Sequence, residues 1–292
     1  MADGSPSGAL LLDKPTGLTS SRAISKVKRL FPKGTRIGHT GTLDPLASGL
    51  LVLVIGRATR LARYVTPMDK SYTATARLGH VSDTLDAEGE PRPVEGPLPD
   101  ADTIRAGLPE FTGRILQVPP MTSALKVGGR RLYDLYRSGV EVQREPRPVE
   151  IHALSLISTD PDGGTATFEI SCSSGTYVRS LISDLVHSLG SGAYLTALRR
   201  TRVGDLLVQN ALPPANLDEH HINNRIIQPA DVLRGLSAVE VAGADRVAVC
   251  NGRKMGAFGV EGSYRVMTGG ELLAVYRDEG PEARAEVVLC AP

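Results

Sequence analysis

The chain has 292 residues, of which 41% are hydrophobic and 22% charged, and a formal net charge of +1. Those figures fit a globular protein of one large domain or two, and no apolar run approaches the ~18 residues of a membrane span. Near neutrality excludes a uniformly basic surface, so any polyanion would have to be met by one side of the molecule.

The charge is distributed in that way. Residues 1–60 carry nine Lys and Arg against three acids, whereas residues 81–110 carry eight acids against two arginines. Cys172, Cys250 and Cys290 are odd in number and far apart. They predict reduced thiols in a cytoplasmic protein, with neither a disulfide frame nor a zinc site. Met1 to Gly8 lacks a basic region followed by a long apolar stretch, so no secretory signal is expected.

In chain order, Ala9–Asp13 reads as a short buried strand, followed by the turn Lys14-Pro-Thr-Gly17. Thr19 or Ser20 can cap a helix over about Ser21–Phe31, with Ile24, Val27 and Leu30 on one face and Arg22, Lys26 and Arg29 on the other. The next stretch, Arg36-Ile-Gly-His-Thr-Gly-Thr-Leu-Asp-Pro-Leu-Ala-Ser-Gly-Leu50, is the most distinctive in the chain. Its glycines permit positive φ and close approach of backbone to a ligand, and Pro45 restricts Asp44. It feeds an apolar strand, Leu50–Ile55. Asp44 should therefore stand on a shaped loop at a sheet edge. No Lys-Ser or Lys-Thr follows the glycines, as a phosphate-binding P-loop requires, and a helix–loop–strand order is wrong for a dinucleotide fingerprint. A phosphatase of the DxDGT type would need an acid where Leu46 stands.

Gly38-His-Thr-Gly-Thr-Leu-Asp44-Pro-Leu-Ala-Ser-Gly49 closely resembles the catalytic-loop motif of the TruB-type pseudouridine synthases, the bacterial tRNA pseudouridine-55 synthases. That resemblance implies an isomerase that converts a uridine in the TΨC stem-loop of tRNA to pseudouridine without cofactor or metal. It implies Asp44 as the catalytic carboxylate and His39 as a residue filling the space left by an extruded base. Asp13-Lys14-Pro15-x-Gly17 is similar to the family's opening motif and brings Lys14 in as a substrate-binding candidate. The rival reading is a non-catalytic tRNA-binding or tRNA-folding protein with the same surface.

Further along, Ala58–Val65 predicts a short helix and Lys70–Gly79 a half-buried strand. By pattern Tyr72 is a core aromatic. By the resemblance it stacks on the target base. Asp83-Thr-Leu-Asp86-Ala-Glu-Gly-Glu lacks the oxygen spacing of a calcium loop and reads as a solvated acidic segment. Asp100–Leu108 reads as a surface helix.

Gln117 to Gly139 joins a Pro-Pro break, a Gly-Gly turn and a basic amphipathic helix. Lys126 and Arg130, with Tyr133 and Tyr136, suit contact with phosphate and base. The family carries an RNA-gripping insertion here, corresponding to about 119–148, but Thr122 stands where many members have an aromatic residue. A hairpin over 149–158 and 165–173 follows, then Gly175-Thr-Tyr-Val-Arg179 leading into a helix. Arg179 near a helix N-terminus opposes the dipole, which calls for an acidic partner. The resemblance implies that Arg179 is a catalytic-site arginine, and a guanidinium opposite Asp44 would keep that carboxylate ionised, ideally through the two parallel hydrogen bonds of its planar fork. Leu198-Arg-Arg-Thr-Arg-Val-Gly204 matches a fourth block and places Leu198 in the uracil pocket.

From Pro229 a helix at Ala230–Leu233 and strands near 238–241, 264–268, 271–277 and 285–289 are expected, with Gly269-Gly270 as a hairpin turn. The expected architecture is thus α+β. Residues 1–228 form a pseudouridine-synthase-like catalytic domain on a mixed, mainly antiparallel sheet with flanking helices. Residues 229–292 form a small β-rich, PUA-like RNA-binding domain. A monomer is expected.

Overall fold

The computed structural model describes residues 6–123, 125–140, 142–213, 215, 217–218, 221–222 and 224–291, and leaves the side chains of Lys126 and Arg131 outside the description. Its main element is a nine-stranded sheet. Gly8–Lys14, Ser48–Ile55, Ala193–Val203, Lys70–Leu78, Thr165–Cys172, Arg147–Asp160 and Gly113–Gln117 lie side by side in that order, with two short strands attached. Neighbours are antiparallel, apart from the parallel contact between Ser48–Ile55 and Ala193–Val203. The sheet is mixed and mainly antiparallel, as expected. Among the described residues no helix is long and apolar enough to cross a membrane.

The Lys70–Leu78 strand alternates strictly between buried and half-buried residues, the mark of a strand with one face on the core. Its buried face packs with Phe168, Leu181, Ile182, Leu185 and Leu195 in the main core. Two strands of this sheet have no plain signal in the sequence. One is Gly113–Gln117 at an edge, and the other is the central Ala193–Val203, whose three arginines and two threonines mask its alternation. The first helix spans Ser20–Lys28, capped by Thr19, whose hydroxyl accepts from the Arg22 N–H.

A second, five-stranded sheet orders Ala238–Glu240, Ser263–Thr268, Glu271–Glu279, Glu282–Val288 and Met255–Gly256. Gly269 and Gly270, at φ 54° and 85°, close the predicted hairpin between Thr268 and Glu271; only glycine takes two successive positive φ values cheaply. The helix Gly243–Cys250 was not foreseen. It brings Cys250 to the chain end, where Cys250 and Cys290 form a disulfide with Cα atoms 5.4 Å apart. The expectation of three reduced thiols is thereby corrected: packing unites two cysteines that sequence separation kept apart, and Cys172 is the free, buried one.

This second sheet does not hang from a linker. Leu11, Leu50 and Val52 of the main sheet share one core with Leu61, Val65, Leu233, Leu272, Val275 and Val287. Arg57 donates to the Leu289 carbonyl at 2.9 Å, and Tyr64 donates to Glu286 at 3.0 Å. Leu233 is fully buried in that shared core. Leu233→Ala should therefore cost about 3 kcal/mol, as deleting a buried leucine side chain does, and both sheets should unfold together in urea. A separate early transition of the C-terminal sheet would show that the core is not shared.

Candidate active site

Three tethers shape the loop around Asp44. The Ser20 hydroxyl both accepts from the Leu43 N–H at 2.9 Å and donates to the Leu43 carbonyl at 3.0 Å. The Gly17 N–H donates to the Pro45 carbonyl at 2.7 Å. The third tether is Arg200, whose Nε donates to the Leu50 carbonyl at 2.7 Å while its terminal nitrogens donate to Thr42 and Gly41 at 3.3 and 3.1 Å. One guanidinium thus grips both ends of the loop. Gly49 makes the approach possible: a Cβ there would stand 2.3 Å from the Arg200 carbonyl oxygen, and its φ of 97° is one that glycine accepts.

Asp44 lines a cavity of about 430 Å³ with Tyr72, Leu198, Arg179, Arg200, Lys70, and the segment from Ser173 to Tyr177. Tyr72 and Leu198 are both nearly buried. They come together because the two strands run antiparallel, with Arg200 opposite Tyr72 and Leu198 opposite Ala74. These two strands thus bring Tyr72, Leu198, Lys70 and Arg200 to the cavity that Asp44 also lines. The Gln117 side chain holds the Tyr177 backbone by two hydrogen bonds, of 2.7 and 3.0 Å, so the edge strand sets the entry to the helix that carries Arg179.

The sequence places an acid opposite Arg179, and the structure places two. Arg179 is 4% exposed and lies 3.1 Å from Asp44 and 3.1 Å from Asp86. Its remaining donors go to the Thr84 carbonyl at 2.7 Å and to the hydroxyl and carbonyl of Thr122 at 2.6 and 2.9 Å. The fork does not close on Asp44 alone but is shared among three segments. Thr122, in place of an aromatic residue, serves as an acceptor for this guanidinium.

Asp86 corrects the reading of the acidic segment as solvated. It is 1% exposed and also accepts from the Thr84 hydroxyl and the Glu88 N–H, at 2.7 and 3.0 Å. Backbone pairing with Leu195 folds this segment back onto the sheet, with Leu85 at a φ of 62°. A leucine in the left-handed region is not readable from composition, and the one local signal is Asp86-x-Glu88, an Asx turn in which the Asp86 carboxylate accepts from the Glu88 N–H.

The other candidates are spread more widely. Lys14 is wholly buried under the loop, where its ammonium donates to the Pro15 and Leu18 carbonyls at 3.0 and 2.6 Å. Burial lowers its pKa to about 8, against the pull of Asp44. It supplies charge from behind Asp44 and does not line the cavity. His39 is half-buried and its Nδ1 accepts from the Gly41 N–H at 3.3 Å. Burial, aided by Arg200, keeps its pKa below the usual value. Arg130 is exposed beyond the Gly128-Gly129 turn, remote from the cavity lining; the predicted side-chain role of Lys126 lies outside the described residues. Tyr136 donates to Asp83, and Arg137 stacks 5.8 Å over the exposed Tyr133 ring.

Burial raises the pKa of Asp44 above the ordinary carboxylate value. Arg179 opposes this most strongly, Asp86 reinforces it as a like charge, and Lys14 opposes it from behind. What the arrangement can do chemically is hold one carboxylate in a cavity that also presents the apolar Tyr72 and Leu198 and the cations Lys70 and Arg200.

Residues 28–178 match the family model described as TruB family pseudouridylate synthase (N terminal domain). Over 277 residues the chain is 42% identical to the tRNA pseudouridine synthase B of Aromatoleum aromaticum, spanning 94% of this chain and 89% of that one. It is also 42% identical, over 272 residues, to the protein of the same name from Dechloromonas aromatica, spanning 92% and 90%. A chain of the solved Cbf5-Nop10-Gar1 complex superposes with a TM-score of 0.73 at 25% identity, over 97% of this chain and 85% of that one.

The charge pattern makes a signed expectation. In carboxylate NMR titrations Asp44 should titrate above the ordinary aspartate range. Asp86→Asn should lower that midpoint by removing a like charge, and Arg179→Met should raise it by removing the opposite one. A midpoint unmoved by either change would mean that Asp44 is not coupled to this network.

Proposed function

The chain belongs to the TruB family of pseudouridylate synthases, and on that footing we propose that it converts uridine-55 in the TΨC stem-loop of tRNA to pseudouridine, with Asp44 as the catalytic carboxylate. The observation that carries this reading is the placing of Asp44 in one cavity wall, beside Arg179 and facing Tyr72 and Leu198.

The reaction breaks the N1–C1′ bond, turns the uracil, and rejoins it through C5. Atoms and oxidation state are conserved, so the chemistry asks for a positioned charge and a shaped slot. A uridine inside a folded loop is unreachable unless the nucleotide is extruded. In this reading the extruded base enters between Tyr72 and Leu198, its ribose meets Asp44, and His39 at the loop edge supports the space that the base leaves. The carboxylate acts either as nucleophile at C1′ or as base toward C2′. Both routes need it ionised, and burial works against that. Arg179 and Lys14 hold the charge.

The insertion is assigned to RNA. Arg130 and Lys126 stand on its hairpin and Tyr133 on the following helix, a mixture suited to phosphate contact and stacking. The second sheet is read as a PUA-like RNA-binding domain covering 229–292, set against the catalytic domain by the shared core.

Asp44→Asn removes charge and nucleophilicity with almost no change of shape. It should fold, bind an unmodified tRNA transcript with parental affinity, and form no pseudouridine detectable by carbodiimide labelling. Robust turnover by this variant would end the assignment of Asp44. Arg179→Lys keeps a charge but cannot reach Asp44, Asp86 and Thr122 together. Its single-turnover rate at saturating tRNA should fall roughly 100-fold, on the scale of losing one preorganised electrostatic partner. Its filter-binding affinity should stay near the parent's.

A further inference from the structure

Strand alternation puts a lysine where an apolar side chain would be normal. The Lys70–Leu78 strand buries every second residue, so Lys70 shares the core-facing side with Tyr72, Ala74, Ala76 and Leu78. Lys70 is 6% exposed and Arg200, from the next strand, is 3% exposed. Both line the cavity that holds Asp44 and Tyr72. Among the described residues neither forms an ion pair, whereas Arg179 in the same cavity has two.

Their donors are not used up. The Lys70 ammonium has three N–H groups and gives two, to the Thr66 carbonyl at 2.6 Å and the Met68 carbonyl at 2.5 Å. Arg200 has five and gives three to carbonyls, with the Tyr72 hydroxyl as a further neighbour. Two buried cations side by side repel each other and are costly to desolvate. A site built this way is complete only when an anion arrives.

We propose that Lys70, with Arg200 beside it, receives the negative charge that leaves with the uracil when the glycosidic bond breaks. The inference rests on the pseudouridine synthase reading. When C1′–N1 cleaves, the bonding pair departs with the base and spreads from N1 onto O2 and O4. The ribose carbon is then satisfied by Asp44 or by loss of the C2′ proton. After rotation the ring returns the pair through C5 to C1′, the C5 proton is lost, and N1 takes up a proton. The net change is an isomerisation, and the anion exists only between the two bonds. Fixed cations at its position lower the barrier without reorganising.

The surroundings of Lys70 agree. Burial first, then Arg200, lower its pKa to about 8, while Cys172 and Asp69 raise it. Those are the charged and titratable groups facing it, with Tyr72 on its own strand, and Asp69 is in turn paired with His152 at 3.2 Å. A group charged below its pKa and neutral above it gives a rate that falls as pH rises through about 8.

The test is single-turnover pseudouridine formation at saturating unmodified tRNA transcript, from pH about 6.5 to about 8.5, with filter binding at each pH. The parent should lose rate toward the alkaline end. Lys70→Met should be slower by about 100-fold throughout, with affinity within threefold of the parent. Lys70→Arg, which keeps its charge, should recover at least a tenth of the parental rate and show a shallower alkaline decline, the remainder coming from Lys14, whose pKa is also lowered to about 8. A flat parental profile, a Lys70→Met rate within threefold of the parent, or a decline in Lys70→Arg as steep as the parent's overturns the proposal. Loss of affinity with chemistry intact also overturns it, because Lys70 would then be holding a phosphate. A parent that makes no pseudouridine overturns the functional reading and this inference together. An active parent with an equally active Lys70→Met overturns this inference alone.

Discussion

The site depends on one buried guanidinium that three separate segments must share. Arg179 cannot be left alone in the interior, since an uncompensated buried charge is strongly destabilising. It takes Asp44 from the first loop, Asp86 from the acidic segment, and Thr122 from the insertion. Each of those segments is short of regular structure around its contact and would be poorly located by itself. The shared cation fixes all three together. Because Asp86 is a second anion, it holds Arg179 in place while adding to the rise in the pKa of Asp44 that burial causes.

The central sheet supplies the rigid part. Its one parallel pairing sets Arg199 and Arg200 against Ser48 and Gly49. From there Arg200 clamps the loop carbonyls, and Arg199 makes a two-pronged pair with Asp13 at 3.0 and 2.7 Å. Consecutive arginines on a strand point to opposite faces, so one fastens the loop from inside while the other fastens the first strand from outside. Asp44 is then held between the central sheet and an insertion that reaches Arg179 through Thr122 and the acidic segment through Tyr136.

The same logic places cost and function together. The cavity wall carries Lys70 and Arg200, neither of them ion-paired among the described residues, while Asp44 lines it on Arg179, which also holds the buried Asp86. An interior optimised only for stability would pair these charges or replace them with apolar residues. On the proposed reading, their segregation would set an anion toward the sugar and cations toward the base, the polarity that develops as a glycosidic bond opens. Through the shared core under Leu233 the C-terminal sheet adds to the stability that such a site draws on.

The motif from Gly38 to Gly49, the alternation of Lys70–Leu78 and the Gly269-Gly270 hairpin were legible in the sequence because each is local. A loop needs its glycines, a one-sided strand needs its period of two, and a tight turn needs residues tolerant of positive φ. The family resemblance carried by the first of these, with the blocks at Gly175–Arg179 and Leu198–Gly204, gave the candidates Asp44, Tyr72, Leu198 and Arg179, all of which line one cavity. Tertiary structure alone decided what crosses between segments. It made Asp86 a buried partner and not a solvated acid, and Ala193–Val203 the centre of the sheet despite its arginines. It turned Lys14 inward beneath the loop, and it joined Cys250 to Cys290. Each of these rests on a distant partner, and a charged residue reads as exposed until the group that neutralises it, or the cavity that needs it, is brought alongside.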